Sequence, residues 1–334
     1  PGATNTVTGI ATAYSDSIPL VIFTGQVSTP LIGNDAFQEV DIVGITRPCT
    51  KHNFLVKDVR ELAATVRKAF YLARSGRPGP VLVDIPKNIQ QATCEFEWPS
   101  EVTMRSYCPT FRANLNQLRR AMDVLLTSRK PLIVAGGGVI MADAAEELTT
   151  LAHLMHAPVC STLMGLGAFP GDDPLWIGML GMHGTYAANK SVNQADVILA
   201  VGARFDDRVT GKLSEFAPNA RIVHIDIDPT TLRKNVRVEV PVVSDALSAL
   251  QGLRSILESG HAEKDWAGDH ADWMTQVQEW QKKQPLSWSK GEVLKPQQVV
   301  ERLYELTKGE AVITTEVGQN QMWAAQFYKY HKPR

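Results

Sequence analysis

Residues 131–138 read PLIVAGGG, a short apolar run that ends in three consecutive glycines. Helix-period stretches flank the run: residues 115–126 precede it, and Ala144, Leu148 and Leu151 recur on one face of the segment that follows. An apolar strand between amphipathic helices is typical of a parallel sheet covered by helices. We therefore predict an α/β domain with this strand inside it.

The alternation of strands and helices continues downstream. Further strands are predicted at residues 158–161, 197–201, 222–225 and 241–243. Parallel strands joined through helices have right-handed crossovers, and this region supplies enough helices to cover both faces of a sheet. We predict that residues 115–258 form a complete, doubly wound α/β domain.

The region before this domain predicts only part of a second one. Strands are predicted at residues 20–24 and 80–85, with a helix between them that begins after Asp58, uses Glu61 in a capping box and ends at residues 75–76. Two strands and about two helices cannot cover both faces of a parallel sheet. Residues 86–114 lack an apolar period and are predicted to be a linker.

The region after the central domain contains Trp266, Trp273 and Trp280, spaced seven residues apart. This spacing indicates a linker helix that packs a tryptophan stripe onto a neighbouring domain, in preference to a ligand site. A helix opening near Pro296 and a strand at residues 311–315 are predicted to begin a further unit.

Composition limits the possible partners. The 334 residues carry 34 Lys and Arg against 35 Asp and Glu, a formal net charge of −1, which lacks the basic excess of nucleic-acid-binding proteins. No apolar run approaches the roughly 20 residues that span a bilayer. We expect no nucleic-acid or membrane partner.

The four cysteines form no C-x-x-C pair, which favours a reduced compartment. The length of the chain predicts two domains, or three if some are small.

Common catalytic and metal motifs are missing from the sequence. It contains no G-x-x-x-x-G-K-[ST], no H-E-x-x-H and no G-x-S-x-G. His153 and His156 lie three apart on a predicted helix, but no acidic or cysteine ligand lies nearby at useful spacing. A structural role is favoured for this pair, and no metal ligand is predicted in the chain.

Glycines and acidic residues at predicted strand ends are the candidate cofactor contacts. The glycines at 136–138 could approach a pyrophosphate at a helix N-terminus, or could form a tight packing turn, and both alternatives stay open without G-x-G-x-x-G spacing. Residues 202–208 follow one strand and Asp226 ends another, where open sheets place ribose- or adenine-reading residues. Arg208 in this position could instead form a surface ion pair.

A long loop at residues 31–50 is the first candidate functional segment. It contains Phe37 and Gln38 and has little periodicity, and long loops within regular domains often carry function. Just beyond it, Lys51 and His52 are interpreted, from the residues alone, as ordinary solvated side chains.

The second candidate segment is the turn at residues 75–80, SGRPGP. Its prolines and glycines predict a rigid connection between a helix end and a strand start. Arg77 is fixed within this turn, which suits contact with an anion.

Seven blocks of the sequence, in this order, resemble the catalytic large subunit of acetohydroxyacid synthase, also called acetolactate synthase. The blocks are PGATN from residue 1, DSIPLVIFTGQVSTPLIGNDAFQEVDIVGITRPCTKHNF from 16, SGRPGPVLVDIPK from 75, STLMGLGAFPGDDPLWIGMLGMHG from 161, GARFDDRVTGKL from 202, IVHIDIDP from 222 and TTEVGQNQMWAAQFYKYHKPR from 314. The runs DAFQEVDI and GARFDDRVTG distinguish this family from its sister thiamine-diphosphate enzymes.

The resemblance implies a fold of three α/β domains. Residues 1–105 would be the C-terminal part of a pyrimidine-binding domain, and residues 106–260 a central, doubly wound, FAD-binding domain with its leading linker. Residues 261–295 would be a linker helix, and residues 296–334 the start of a diphosphate-binding domain. The two flanking domains are expected to be partial.

The resemblance also implies an activity. The family decarboxylates pyruvate and joins the product to a second 2-keto acid, pyruvate or 2-ketobutyrate, in valine, leucine and isoleucine biosynthesis. The implied cofactors are thiamine diphosphate, Mg²⁺ with ligands outside this chain, and FAD, which takes no net part in redox. The implied partners are further catalytic subunits, in a homodimer or tetramer, and a small regulatory subunit. A cytoplasmic location is expected if the source is bacterial.

The family's functional residues carry over by position. Gln38 matches a glutamine that reaches the thiamine site, while Phe37 and Lys51 match residues that line the substrate channel. Arg208 matches the arginine that meets the carboxylate of the second keto acid, which suits a guanidinium fork. The implied cofactor contacts are, for FAD, Ser17, Arg77, Gly137, Thr162, Leu163, Met164, Gly165, Leu180, Gly181, Met182, His183, Gly202, Ala203, Arg204, Phe205, Asp206, Asp207, Arg208, Asp226, Ile227 and Asp245, and, for the diphosphate site, Gln319 and Asn320.

The sequence also departs from the family pattern. The catalytic glutamate of an R-H-E-Q block and the G-D-G block that holds Mg²⁺ are expected outside the chain, as is also suggested by its non-Met start. Ser28 stands where Pro is common, and Asn320 where His is common. We expect the 334 residues alone to be a fragment that does not turn over pyruvate.

Two alternative functions remain at this point. A pyruvate-oxidase-like enzyme would use FAD for redox, although the block around Arg208 favours acetolactate synthase. A stand-alone flavin-binding module without catalysis would bind FAD and have no affinity for thiamine diphosphate.

Overall fold

The structure is a computed structural model that describes residues 1–333. The chain separates into two compact units, unit 1 (Pro1–Pro109) and unit 2 (Thr110–Arg334). Both contain parallel sheets and helices, which confirms the predicted α/β class. The division into four segments stays a prediction, and its last residue, Arg334, lies outside the described residues.

Unit 1 is built around a three-stranded parallel sheet. Its elements are α1 (Gly2–Asn5), α2 (Val7–Asp16), β1 (Leu20–Gln26), α3 (Ile42–Thr46), β2 (His52–Leu55), α4 (Leu62–Arg74), β3 (Pro80–Pro86) and α5 (Lys87–Gln91). The strand order is β1-β3-β2, so β3 is central. Val81 and Val83 of β3 point into one apolar cluster and Leu82 into another, as the two-residue period of a strand requires.

The predicted strands of unit 1 are confirmed, and each extends beyond its predicted end. The sequence did not predict β2, because its four residues, HNFL, begin with two polar side chains at an edge of the sheet. Asp58 is an N-cap as predicted, since its carboxylate accepts a 2.9 Å hydrogen bond from the Arg60 backbone N–H. It caps a 3₁₀ turn that leads into α4.

Unit 2 contains the central sheet. Its elements are α6 (Leu115–Leu126), β4 (Pro131–Ala135), α7 (Gly137–Met141), α8 (Ala145–Leu154), β5 (Val159–Ser161), β6 (Trp176–Met179), α9 (Tyr186–Gln194), β7 (Val197–Val201), α10 (Asp207–Thr210), β8 (Arg221–Asp226), β9 (Val240–Val243), α11 (Ala246–Gly260), α12 (Trp266–Lys283), α13 (Pro296–Thr307) and α14 (Gln319–Phe327). The bounds of α6, β4 and β7 match the sequence prediction. The sequence did not predict β6, because it is a short edge strand with a glycine inside it, and it did not predict α9.

Among residues 110–333, six parallel strands form one sheet in the order β6-β5-β4-β7-β8-β9. When β4, the first strand of unit 2, is counted as strand 1, the order becomes 3-2-1-4-5-6, which is the strand order of doubly wound dinucleotide-binding sheets. The chain changes direction across the sheet between β4 and β7. Ligands of open α/β sheets bind at such a switch point, beyond the carboxyl ends of the strands.

Each face of this sheet has its own apolar core. In β4, Ile133 and Ala135 belong to one buried cluster, while Leu132 and Val134 belong to the other. Helices α6, α8 and α11 contribute to the first cluster, and α9 contributes to the second. The doubly wound arrangement predicted from the sequence is therefore present.

Helix α12 packs onto the central sheet itself. Trp266 joins the first core, and Trp273 and Trp280 join the second. The Trp273 indole N–H also donates a 2.8 Å hydrogen bond to the Pro131 carbonyl at the start of β4. The packing role predicted for the tryptophan stripe is confirmed, because the stripe covers the core of the central sheet, which lies directly before this helix in the chain.

The C-terminal part of unit 2 forms a pair of helices. Helix α13 begins at Pro296 as predicted, and Tyr304 on it packs edge-on against Tyr328, which follows α14. The predicted strand at 311–315 is wrong: in the described chain no strand pairs with these residues, and Val312 is largely exposed. An apolar β-branched run does not become a strand without a partner for its backbone.

Candidate functional site

The three glycines after β4 lie at the switch point of the central sheet. Gly136 N–H donates to the Val201 carbonyl at 2.9 Å, and Gly138 N–H donates to the Gly202 carbonyl at 3.1 Å. A Cβ at Gly138 would lie 2.6 Å from the Cα of Gly202. Close backbone packing, one of the two alternatives left by the sequence, therefore explains Gly136 and Gly138.

The turn after β5 lies beside these glycines. Thr162 N–H donates a 3.0 Å hydrogen bond to the Ala135 carbonyl, and a Cβ on Gly165 would meet the same carbonyl. Gly137 faces Met164, because a Cβ on this glycine would lie 3.2 Å from the methionine Cβ. The structure thus brings Gly137 and the predicted flavin segment 162–165 together at one edge of the sheet.

The loops after β6 and β7 are joined to each other. Met182 N–H donates a 2.9 Å hydrogen bond to the Arg208 carbonyl, and Gly181, at φ +97°, packs against that carbonyl. Asn189 of α9 fixes Gly181 from the other side, with one hydrogen bond to its N–H and one to its carbonyl, at 2.8 and 2.9 Å. Residues 180–183 and 202–208 are therefore a connected pair of loops.

The segment 202–208, which we name the Arg208 loop, ends in a capped turn of helix. The Asp206 carboxylate accepts a hydrogen bond from Val209 N–H at 3.2 Å and so caps α10. Arg208 has 72% of its side chain exposed, with Nε 3.7 Å from an Asp207 oxygen. The guanidinium is therefore held loosely and is accessible to an anionic partner from solvent. The surface ion pair, the alternative role left open for Arg208, is weak because the side chains of Arg208 and Asp207 are both exposed.

Two predicted acidic contacts lie at the next strand ends and have local backbone roles. Asp226 ends β8, and its carboxylate accepts a 2.8 Å hydrogen bond from Asp228 N–H. Asp245 follows β9 and caps α11 through Leu247 N–H at 2.9 Å. Ile227 lies between Asp226 and Asp228 and is half-buried.

Two of the predicted FAD contacts, both in unit 1, contact each other. Arg77 Nε donates a 2.8 Å hydrogen bond to Ser17 Oγ. Ser17 is buried and ends α2 in the left-handed conformation, at φ 59°. The structure brings these two residues together although 60 positions separate them in the sequence.

Lys51 is a half-buried, bonded side chain, so its interpretation from the residues alone as an ordinary solvated lysine is wrong. Its Nζ donates to the carbonyls of Leu72 and, at 2.6 Å, of Ser75 at the end of α4. It also lies 3.2 Å from the Tyr107 hydroxyl, which in turn donates to the Ser75 carbonyl at 2.7 Å. Burial raises the pKa of Tyr107. Lys51 and Tyr107 together hold the start of the turn that carries Arg77.

The loop with Phe37 and Gln38 is fixed at its base and exposed at its tip. Phe37 is 88% exposed, and Gln38 is an exposed residue at a positive φ of 59°. At the base, Gln26 Nε2 donates to the Val40 carbonyl at 2.9 Å and to the buried Asp84 carboxylate at 3.1 Å. Burial raises the pKa of Asp84.

The predicted diphosphate residues, Gln319 and Asn320, begin α14 and are exposed. Later in α14, Gln326 Nε2 donates a 2.9 Å hydrogen bond to the His183 carbonyl. This hydrogen bond ties α14 to the loop after β6 within unit 2.

The sequence did not indicate two residues that donate hydrogen bonds to backbone carbonyls of the Arg208 loop. His224 on β8 donates from Nε2 to the Ala203 carbonyl at 2.7 Å, and Asn235 Nδ2 donates to the Phe205 carbonyl at 2.8 Å. Burial lowers the pKa of His224 to about 4. A polar residue inside an apolar strand, as in IVHID, is the signal that could have found the histidine.

No metal centre is evident in the described part of the chain. Residues 1–333 contain no group of three or more His, Cys, Asp or Glu side chains arranged to hold an ion. His153, set aside from the sequence as structural, pairs with Asp173 at 2.7 Å. None of the helices described here has the length and apolar character needed to cross a membrane.

Two family models match the chain. The thiamine pyrophosphate enzyme central domain matches residues 118–253, and the thiamine pyrophosphate enzyme N-terminal TPP binding domain matches residues 1–45. The first match lies in unit 2 and the second in unit 1.

Curated relatives match along the whole chain. The acetolactate synthase isozyme 3 large subunit of Escherichia coli strain K12 is 49% identical over 339 residues, which cover 100% of this chain and 58% of that protein. The chloroplastic acetolactate synthase 1 of Nicotiana tabacum is 48% identical, with 100% and 50% covered. The probable acetolactate synthase large subunit of Methanocaldococcus jannaschii is 46% identical, with 100% and 57% covered. The chain therefore spans between half and three fifths of the length of these relatives.

Proposed function

Because this chain belongs to the acetolactate synthase large-subunit family of thiamine pyrophosphate enzymes, we propose that the protein carrying it makes acetolactate. The proposed reaction decarboxylates pyruvate and joins the resulting two-carbon unit to a second 2-keto acid, pyruvate or 2-ketobutyrate. When bound, thiamine diphosphate supplies the chemistry of both steps. The observation that carries the proposal is the identity of 46–49% to such subunits across the whole chain.

A flavin is proposed to bind at the carboxyl edge of the central sheet. The 3-2-1-4-5-6 order, the close glycine packing at the switch point and the two connected loops fit a dinucleotide. The residues proposed to hold FAD in unit 2 are Gly137, Thr162, Leu163, Met164, Gly165, Leu180, Gly181, Met182, His183, Gly202, Ala203, Arg204, Phe205, Asp206, Asp207, Arg208, Asp226, Ile227 and Asp245. In unit 1, Ser17 and Arg77 form a bonded pair suited to an anionic group.

The other cofactor and substrate roles follow the family pattern. Gln38 is proposed to reach the thiamine site, and Gln319 with Asn320 the diphosphate, while Mg²⁺ is proposed to use ligands outside this chain. Arg208 is proposed to hold the carboxylate of the second keto acid, and its exposed, loosely held fork supports that role. Phe37, strongly exposed at a loop tip, is proposed to line the substrate channel, together with Lys51.

The family also suggests an assembly and a location. We propose a homodimer or tetramer of catalytic subunits, a small regulatory subunit, and a cytoplasmic location if the source is bacterial. Mass measurement of the whole protein in solution, alone and with its regulatory subunit, tests the assembly.

An assay of Arg208 variants tests the function. The whole protein, with thiamine diphosphate, Mg²⁺ and FAD, is expected to form acetolactate from pyruvate. Arg208→Lys is expected to raise the KM for the second keto acid about tenfold or more, because an ammonium lacks the two-pronged geometry of the guanidinium. The matched control is Arg221→Lys, since Arg221 is exposed and pairs with Glu239 at the amino ends of β8 and β9, whereas Arg208 follows the carboxyl end of β7.

Four results would contradict parts of this proposal or favour one of its alternatives. Absence of acetolactate would reject the activity, and equal KM values for the two lysine variants would reject the role of Arg208. Bleaching of bound flavin in step with pyruvate turnover would favour the pyruvate-oxidase-like alternative.

The expectation that the 334 residues alone do not turn over pyruvate stays a prediction, and the same assay on that chain checks it. Flavin binding by that chain without affinity for thiamine diphosphate would favour the stand-alone flavin module.

A further inference from the structure

We propose that His224 and Asn235 are positioning residues that shape the Arg208 loop for its proposed flavin and keto-acid contacts. The inference rests on the proposed function. Neither side chain is among the family contacts carried over from the sequence. Both act through backbone carbonyls of the loop and not on a ligand.

His224 supports the start of the loop from inside the sheet. It pairs with Ala200 in the parallel register of β8 and β7, and its side chain is buried. Its Nε2 donates a 2.7 Å hydrogen bond to the Ala203 carbonyl, just after β7 ends. Its Nδ1 has no hydrogen-bond partner among the described residues. Among the described residues the histidine side chain therefore makes one hydrogen bond, the one to the Ala203 carbonyl.

Asn235 supports the middle of the loop. Its Nδ2 donates a 2.8 Å hydrogen bond to the carbonyl of Phe205, a buried residue at a positive φ of 54°. A bulky residue in this conformation persists only where its surroundings over-determine it. Here the Phe205 ring packs edge-on against His224 at 5.1 Å and against Phe216 at 5.7 Å. The histidine thus contributes both a hydrogen bond and a ring contact to the strained turn.

The shape of this turn determines where the functional part of the loop lies. Asp206 follows Phe205 directly and Arg208 lies three residues after it. The Arg208 carbonyl accepts the hydrogen bond from Met182 that joins the two loops. Loss of the support at Ala203 or Phe205 would release the Arg208 loop and, through Met182, the loop after β6. Two segments proposed to contact FAD depend on these two side chains.

The test measures FAD affinity by titration of the purified protein, with visible circular dichroism of the bound flavin as a second readout. His224→Leu keeps the apolar volume but removes the donor, and Asn235→Ala removes the second donor. His224→Leu is expected to weaken FAD binding about tenfold, the effect of losing one buried hydrogen bond. Asn235→Ala is expected to weaken it about threefold, because its hydrogen bond is only partly buried. Both variants are expected to change the flavin spectrum. His224→Gln places an amide nitrogen near the position of Nε2 and is expected to restore affinity to within about threefold of wild type.

Controls separate this positioning role from a general effect on folding. His153→Leu removes a histidine that lies on α8 and pairs with Asp173, and it is expected to leave FAD affinity unchanged. Hydrogen exchange should rise in peptides that cover residues 203–209, with the exchange of β4 unchanged. If His224→Leu does not fold, Asn235→Ala tests the inference alone, because Asn235 is exposed and its replacement leaves the core of unit 2 intact.

The outcomes distinguish this inference from the proposed function. Wild-type affinity and spectrum in both His224→Leu and Asn235→Ala would overturn the inference and leave the proposed function standing. A folded His224→Gln variant that binds FAD as weakly as His224→Leu would overturn the role of the Nε2 donor. Absence of FAD binding by the wild-type protein would overturn the proposed flavin site together with the inference.

Discussion

At residue 138 the backbone leaves no room for a side chain. A Cβ there would lie 2.6 Å from Gly202 Cα, and backbone cannot move aside as the end of a side chain can. We expect Gly138→Ala to lower the free energy of unfolding of unit 2 by about 1–3 kcal/mol, the usual cost of forcing an extra methyl group into a packed interior. Urea unfolding followed by tryptophan fluorescence measures the change.

Gly260 offers the matched control for this substitution. It ends α11, and a Cβ there would meet nothing within 4 Å. Gly260→Ala is expected to be neutral or to stabilise unit 2 by about 0.4–1 kcal/mol, because alanine restricts the unfolded chain more than glycine does. Equal stabilities of the two alanine variants would show that the glycine contact at the switch point is not tight.

At this scale the sequence predicted which segments carry the candidate site better than it predicted what each side chain does. It could indicate Arg77 as a fixed cation, because prolines and glycines make its turn rigid. It could not predict that Lys51 binds the end of α4, since that contact joins residues 21 and 24 positions apart through tertiary packing. His224 was missed for a similar reason: its partner, Ala203, lies on the neighbouring strand end.

At the scale of elements, two tryptophans of α12 differ in one hydrogen bond. Both are buried, but the Trp273 indole N–H donates to the Pro131 carbonyl at 2.8 Å, whereas the Trp266 indole nitrogen has no partner among the described residues. Trp273→Phe loses ring volume and leaves a buried carbonyl without this donor, while Trp266→Phe loses ring volume only. We expect Trp273→Phe to destabilise unit 2 by about 1–3 kcal/mol more than Trp266→Phe.

Thermal and urea unfolding of the two phenylalanine variants measure this difference. Trp280 remains in both variants as a reporter of unit 2. If both lose the same stability, the hydrogen bond from α12 to β4 contributes nothing beyond packing, and α12 is attached by its apolar stripe alone.

Long, regular elements were predictable because their own residues determine them. Helix α6 has a clear apolar face and an asparagine N-cap, and β4 and β7 are continuous apolar runs, which suit strands buried on both faces. Short edge strands were not predictable, because β2 and β6 have few residues and depend on the strand beside them. The run at 311–315 shows the converse, since its strand-like composition finds no strand to pair with among the described residues.

At the scale of the molecule, each unit has hydrophobic cores of its own. Unit 1 contains two small clusters, around Val81 and around Leu82, and unit 2 contains two larger ones on the faces of the central sheet. The sequence predicted the central domain because the alternation of strands and helices is complete there. It predicted residues 1–105 to be only part of a domain, and the structure shows a three-stranded sheet in unit 1.

The cysteines allow the unfolding of the two units to be followed separately. Cys160 is fully buried on β5 of unit 2, and burial raises the pKa of its thiol, so little reactive thiolate forms there. Cys49 is half-buried in unit 1, whereas Cys94 and Cys108 are exposed. In native protein we expect iodoacetamide to modify the two exposed thiols first, Cys49 more slowly, and Cys160 only after unit 2 unfolds.

With increasing urea, Cys49 should lose its protection before Cys160, because the cores of unit 1 bury less apolar surface than those of unit 2. Mass spectrometry of the cysteine peptides after a brief pulse of label gives each midpoint. The fluorescence transition should coincide with Cys160, since Trp98 is the one tryptophan of the sequence that lies in unit 1. A shared midpoint for both thiols would instead mean that the two units unfold as one cooperative structure, so that stability measured in either unit would report on the whole chain.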